Sequence, residues 1–132
     1  MKITKRFHWV MGHRLNFHKG GCENIHGHNY ECKVTIEGVV DERGFVMDFA
    51  DLKKEVMIIL DMWDHSFMWY KHDAIMNLIF QDNSNLKNCP MPFQPTAENI
   101  AKELFETLRI KQLNVTRVKV YETPTSEAVY YG

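Results

Sequence analysis

Along residues 26–39 apolar and polar side chains alternate: Tyr30, Cys32, Val34 and Ile36 share one parity, and Asn29, Glu31, Lys33, Thr35 and Glu37 the other. Successive side chains of a strand point to opposite faces, so this is a strand with one face on a core and the other in water. Residues 2–13 repeat the pattern, with Ile3, Phe7, Trp9 and Met11 against Lys2, Thr4, Arg6 and His8. Between them, Asn16 to Glu23 reads as a loop carrying Gly20-Gly21.

The period then changes. Asp48 is a good N-cap, and Phe49, Leu52, Val56, Ile59, Leu60 and Trp63 recur at helical spacing. Pro95-Thr96 opens a second helix, with Thr96 as N-cap and Ile100, Ala101, Leu104, Phe105 and Leu108 inward. Val115–Glu122 and Ala128–Tyr131 read as two more strands around a turn at Pro124. Within residues 66–94, Ala74–Phe80 reads as a short helix candidate and Asn83–Gln94 as an irregular loop. The main order is ββααββ, which predicts an α+β fold: an antiparallel four-stranded sheet with two helices on one face. The 132 residues suit one domain, 1–132, with no linker or repeat.

Composition closes off several function classes. A formal charge of −1 gives no reason to expect a nucleic-acid partner. No apolar run reaches membrane-spanning length, and the first residues lack the apolar stretch of a signal peptide. Three cysteines without framework spacing argue for reduced thiols and a cytoplasmic setting. Residues 1–20 carry Lys2, Lys5, Arg6, Arg14 and Lys19 and no acid, which suits an anionic small molecule or simply a solvated basic face.

His26-Gly27-His28 is the densest chemical signal. Residues two apart in a strand project from one face, roughly 6.6–7 Å apart, and imidazoles at that spacing can converge on one ion. His13 shares parity with Phe7, Trp9 and Met11, and a hairpin of the first two strands brings it beside the pair. Three imidazoles with no compulsory fourth protein ligand describe a catalytic Zn2+ with an open position. Cys22, four residues before His26, reads either as a fourth ligand closing the site or as a reactive thiol beside it. Glu122 shares a face with Val118 and Val120, and an inward carboxylate needs a partner. His65 follows Asp64 just beyond the first helix, which implies a bend if the two are to meet.

Cys22-x-x-x-His26-Gly27-His28-Asn29-Tyr30, with His13-Arg14-Leu15 upstream, resembles the 6-pyruvoyltetrahydropterin synthase and 6-carboxytetrahydropterin synthase family. The likeness continues through Gly44-x-x-x-Asp48-Phe49, Asp64-His65, Pro95-Thr96-x-Glu98-Asn99 and Val120-Tyr121-Glu122-Thr123, covering nearly the whole chain in order. It implies a tunnelling fold, assembled as a homohexamer with sites between subunits. It also implies a zinc-dependent lyase acting on 7,8-dihydroneopterin triphosphate, the metal held by His13, His26 and His28. Cys22 matches the family's catalytic thiol, and Asp64 with His65 its proton-transfer partners. Glu122, Thr96 and Glu98 match its pterin-side residues, although Thr96 and Glu98 read equally as helix capping.

The short Cys22-to-His26 spacing resembles the bacterial branch, whose product is 6-carboxy-5,6,7,8-tetrahydropterin on the route to queuosine. Glu23 also completes E-x-x-H-G-H, a form found in members that make 6-hydroxymethyldihydropterin; it reads as a second general base or as a surface residue. Pyruvoyl-forming activity, a non-catalytic pterin- or metal-binding module and a cupin-like oxygenase complete the alternatives. Met11-Gly12 before the first histidine, Ser66-Phe67-Met68-Trp69 after the Asp-His pair, and the long segment up to Pro95 depart from the family's pattern.

Overall fold

The two alternating segments pair with each other along their whole length. In the computed structural model, which describes all residues 1–132, β1 (Lys2–His13) and β2 (His26–Glu37) form an antiparallel pair running from Lys2↔Glu37 to His13↔His26. The apolar parity faces a core built with α1 (Phe49–Trp63) and α3 (Ala97–Ile110). Trp9 stacks on Tyr30 at 5.0 Å between ring centroids, and both meet the Leu52, Leu60, Ile100 and Leu104 layer of the helices. Each fully buried side chain of this size contributes about 1.5–3 kcal/mol.

Both helices start where their caps require. The Asp48 carboxylate accepts from Ala50 N–H (2.8 Å), and Thr96 Oγ1 accepts from Asn99 N–H (3.2 Å). No helix is long and apolar enough to cross a membrane.

The expected four strands and two helices need correction. The sheet has six strands in the order β4-β3-β1-β2-β5-β6, and there are three α-helices. The additions all fall in residues 66–94: β3 (Ser66–Tyr70), α2 (Ala74–Asp82) and β4 (Asn88–Met91). β3 runs parallel to β1 and to β4, so the sheet is mixed. A serine, a methionine and three aromatics in β3 show no alternation, because a strand covered on both faces has no wet parity to mark it. β4 contains Pro90, which reads as a loop residue and is tolerated here on an edge strand. β5 (Val115–Thr123) and β6 (Ser126–Tyr130) close the other side.

α2 does not join the other helices. Gly12↔Phe67 is in register, and Phe67 therefore shares the parity of Gly12, opposite to Met11 and His13. Phe80 of α2 packs on Phe67 (5.9 Å) and Trp69 (5.6 Å) on that side. Gly12 is required there, since a Cβ would meet the Phe67 ring at 2.7 Å. Arg14 Nε donates to the buried Asp73 Oδ2 (2.7 Å), and Asp73 also caps α2, so the end of β1 is tied to this helix.

Candidate metal centre and substrate cleft

The β1–β2 register sets His13 opposite His26 and Met11 opposite His28. All three histidines have the parity of Tyr30 and Met11, so their rings gather on the helix-covered face at the mouth of the sheet. Ring centroids lie 4.6, 5.1 and 5.0 Å apart, and their ligand-capable nitrogens all fall within 4.8 Å of one another. His13 is fully buried.

Hydrogen bonds behind the rings decide which nitrogens face the centre. His13 Nδ1–H donates to the Pro95 carbonyl (2.8 Å), and His26 Nδ1–H donates to the Asn24 carbonyl (2.7 Å). A carbonyl only accepts, so in the neutral imidazole, the form that binds a metal, the proton is on Nδ1 and Nε2 presents a lone pair. Those two Nε2 atoms stand 3.1 Å apart, a repulsive arrangement that a cation between them relieves. His28 Nε2 is buried with no hydrogen-bond partner. Three convergent imidazoles fit a zinc ion, and the carbonyls behind His13 and His26 are the usual second layer of such a site.

Burial disfavours charge on two of the three rings. Burial, opposed by the Pro95 hydrogen bond and reinforced by His26 and His28, lowers His13 to about 4. Burial also lowers His28, against the pull of Glu122. The unfolded chain therefore takes up a proton near 6.5 that folded His13 refuses until about 4. Stability is highest above the unfolded value and falls as pH drops through this window. Metal-free protein is expected to lose about 2 kcal/mol from this group between pH 7 and pH 5, read by urea unfolding. The loss should shrink in His13→Phe to the part contributed by His28.

Glu122 lies in β5 on the parity of Val118 and Val120, and its Oε1 is 3.4 Å from His13 Nε2 and 3.7 Å from His28 Nε2. On its other side Glu122 borders a cleft of about 260 Å³ together with Leu15, Thr96, Ala97 and Glu98. Three residues from two distant motifs thus meet in one recess next to the imidazoles. The Thr96 hydroxyl is engaged in the α3 cap, whereas Glu98 is exposed and unpaired.

Cys22 sits in a single 3-10 turn, Gly21–Glu23, with a free, half-buried thiol. Its sulfur is not part of the imidazole cluster, so the centre is not closed by a thiolate. Burial, then Glu122, then Cys22 push the Tyr30 hydroxyl well above the usual phenol range. Tyr30 in turn reaches His13 Nδ1 (3.2 Å). Glu23 is exposed, and its carboxylate has no partner.

Asp64 and His65 lie apart from this cluster. The chain bends at His65 with φ +55°, a conformation rare for a residue with a Cβ. Asp64 Oδ1 accepts from Val10 N–H (2.9 Å), and Oδ2 lies 2.9 Å from His65 Nδ1. The Val10 bond, then the His65 contacts and the Lys87 charge, hold the Asp64 carboxyl below its ordinary value. His65 Nε2 is left free at a cleft of about 460 Å³ bordered by Val10, Gly12, Gly27, His28 and Asn29. No hydrogen bond or ion pair joins this pair to the three imidazoles, and Val10, Gly12 and Asn29 belong to the opposite parity from His13 and Tyr30. Sequence reasoning missed the Pro95 and Asn24 carbonyls, since any residue type supplies one.

The fold and the cluster of histidines define a tunnelling-fold protein. Solved structures agree: an uncharacterized protein of Wolinella succinogenes superposes with a TM-score of 0.85 at 26% identity, covering 100% of this chain and 98% of that one. The 6-pyruvoyl tetrahydropterin synthase of Caenorhabditis elegans gives 0.72 at 29% identity, covering 100% and 95%. The family model described as 6-pyruvoyl tetrahydropterin synthase matches residues 2–132, and the chain belongs to that family. A protein of Haemophilus influenzae named 6-carboxy-5,6,7,8-tetrahydropterin synthase is 39% identical over 98% of this chain and 97% of its own length. One of the same name from Rickettsia conorii is 34% identical over 94% and 95%.

Proposed function

We propose that this chain is a zinc-dependent lyase converting 7,8-dihydroneopterin triphosphate to 6-carboxy-5,6,7,8-tetrahydropterin, with loss of triphosphate and acetaldehyde. The observation that carries the reading is the set of imidazole Nε2 lone pairs, fixed by two carbonyls, beside a free thiol and a carboxylate-walled recess. Relatives named for this product at 39% and 34% identity support it over other family activities. Zinc, held by His13, His26 and His28, would supply Lewis acidity toward the substrate's side-chain hydroxyls.

The protein's own groups do the rest. Glu122 accepts the paired N–H donors of the pterin's guanidine-like edge and orients the ring in the recess with Thr96 and Glu98. The Cys22 thiolate removes a proton from the substrate side chain, and the Asp64–His65 pair, with His65 Nε2 as the exchanging atom, handles its return. Because no hydrogen bond or ion pair joins that pair to the imidazoles within one chain, a neighbouring copy of the chain supplies it, as in a homo-oligomer, a hexamer by family likeness. Residues 1–132 form one catalytic domain working in the cytoplasm on the queuosine route.

The testing experiment is product identification after incubation with dihydroneopterin triphosphate, using zinc-loaded and chelated protein. Acetaldehyde and the 6-carboxy product from the loaded form alone are expected. A pyruvoyl or hydroxymethyl pterin would assign another family activity, and no turnover would leave a binding module. Glu122→Gln should raise KM roughly ten- to hundredfold with a smaller change in kcat, since about 1.5–3 kcal/mol of charge-assisted hydrogen bonding is lost.

A further inference from the structure

The carbonyl that orients His13 is itself held in place. Pro95 lies between β4 and α3, and its ring fixes φ. Thr96 N–H bonds back to the Gln94 carbonyl (2.8 Å), so Pro95 is the centre of a three-residue turn that sets the direction of its own C=O. The same Gln94 carbonyl accepts from the Asn99 side-chain Nδ2 (2.9 Å). Gln94 Nε2 donates to Asn16 Oδ1 (2.6 Å), in the loop that leads from His13 toward Cys22.

This use of Asn99 is separate from helix capping. The backbone N–H of Asn99 is satisfied by Thr96 Oγ1, and the amide side chain points back to residue 94 instead. The result is a continuous line from Asn99 to the Gln94 carbonyl, through the Pro95 turn, to His13 Nδ1. If the turn rotated, the His13 ring would lose the partner that keeps its proton on Nδ1 and its lone pair toward the centre.

Resting on the metal reading above, we propose that Asn99 and Gln94 are positioning residues of the metal centre: they lock the Pro95 turn, and through its carbonyl the ring orientation of His13. The brace also joins the metal ligand to the recess, because Thr96 and Glu98 flank the same turn.

The test is zinc affinity of the full chain, measured with Zn2+ alone against a chromophoric chelator. A second readout is the proton NMR signal of the His13 Nδ1–H in the loaded protein. Asn99→Ala is expected to weaken zinc about tenfold and to speed solvent exchange of that proton. Asn77→Ala is the matched control, since the Asn77 amide caps the Lys71 and Asp73 carbonyls at α2, away from the imidazoles. It should lower the melting temperature comparably and leave zinc binding unchanged. Asn99→Ser carries the same comparison if the alanine variant does not fold. Wild-type affinity and an unchanged Nδ1–H signal in the Asn99 variants would overturn the inference, as would an equal loss in Asn77→Ala. A wild-type chain that does not bind zinc would instead overturn the metal reading on which it rests.

Discussion

Cys22→Ala should retain the zinc content of the wild type while turnover falls by about 10³-fold. General acid–base groups contribute roughly 10²–10⁴ in rate, and here one thiol is asked to supply the proton-abstracting base. The sulfur is free and half-buried, outside the imidazole cluster, so its removal takes away no ligand. Metal analysis and steady-state kinetics on one preparation check both halves. Zinc lost together with Cys22 would mark a closed structural site, and the proposed chemistry would have no place to occur.

The other large effect is at His13, for a different reason. His13→Ala removes the one fully buried imidazole, and with it the partner of the Pro95 carbonyl and the Tyr30 hydroxyl. Stoichiometric zinc and measurable turnover should both disappear. The metal-free protein should also be about 2–4 kcal/mol less stable, from the cavity and the stranded carbonyl. His28→Ala removes a more exposed ring and should abolish turnover with a smaller stability change. Zinc titration and urea unfolding separate the two variants; full zinc binding by His13→Ala would dismiss the assigned ligand set.

How much of this was legible beforehand depends on what each signal encodes. Parity carried the imidazole cluster: two alternating strands joined by a loop force His13, His26 and His28 onto one face, and the register follows from the hairpin. The same reasoning failed for β3, because Phe67 and Trp69 are covered by Phe80 while Met68 faces the core, and double coverage erases alternation. β4 was hidden by Pro90. The side taken by α2 had no signature either, since it depends on Gly12 admitting the Phe67 ring. Glu122 was legible as an inward-pointing acid in need of a partner, but not its approach to two imidazoles. The Asp64–His65 bend was expected from adjacency, whereas the Val10 amide that anchors it leaves no trace in residue identities.

The separation of His65 from the imidazoles has a genetic consequence. If each working centre draws its metal and thiol from one chain and its Asp–His pair from another, defects in the two halves lie in trans. Chains carrying Cys22→Ala and chains carrying His65→Ala, each inactive alone, should regain a fraction of wild-type activity when unfolded together and refolded as a mixture. Mixed assemblies contain some centres built from the intact half of each parent, and two broken alleles can thereby complement within a single gene product.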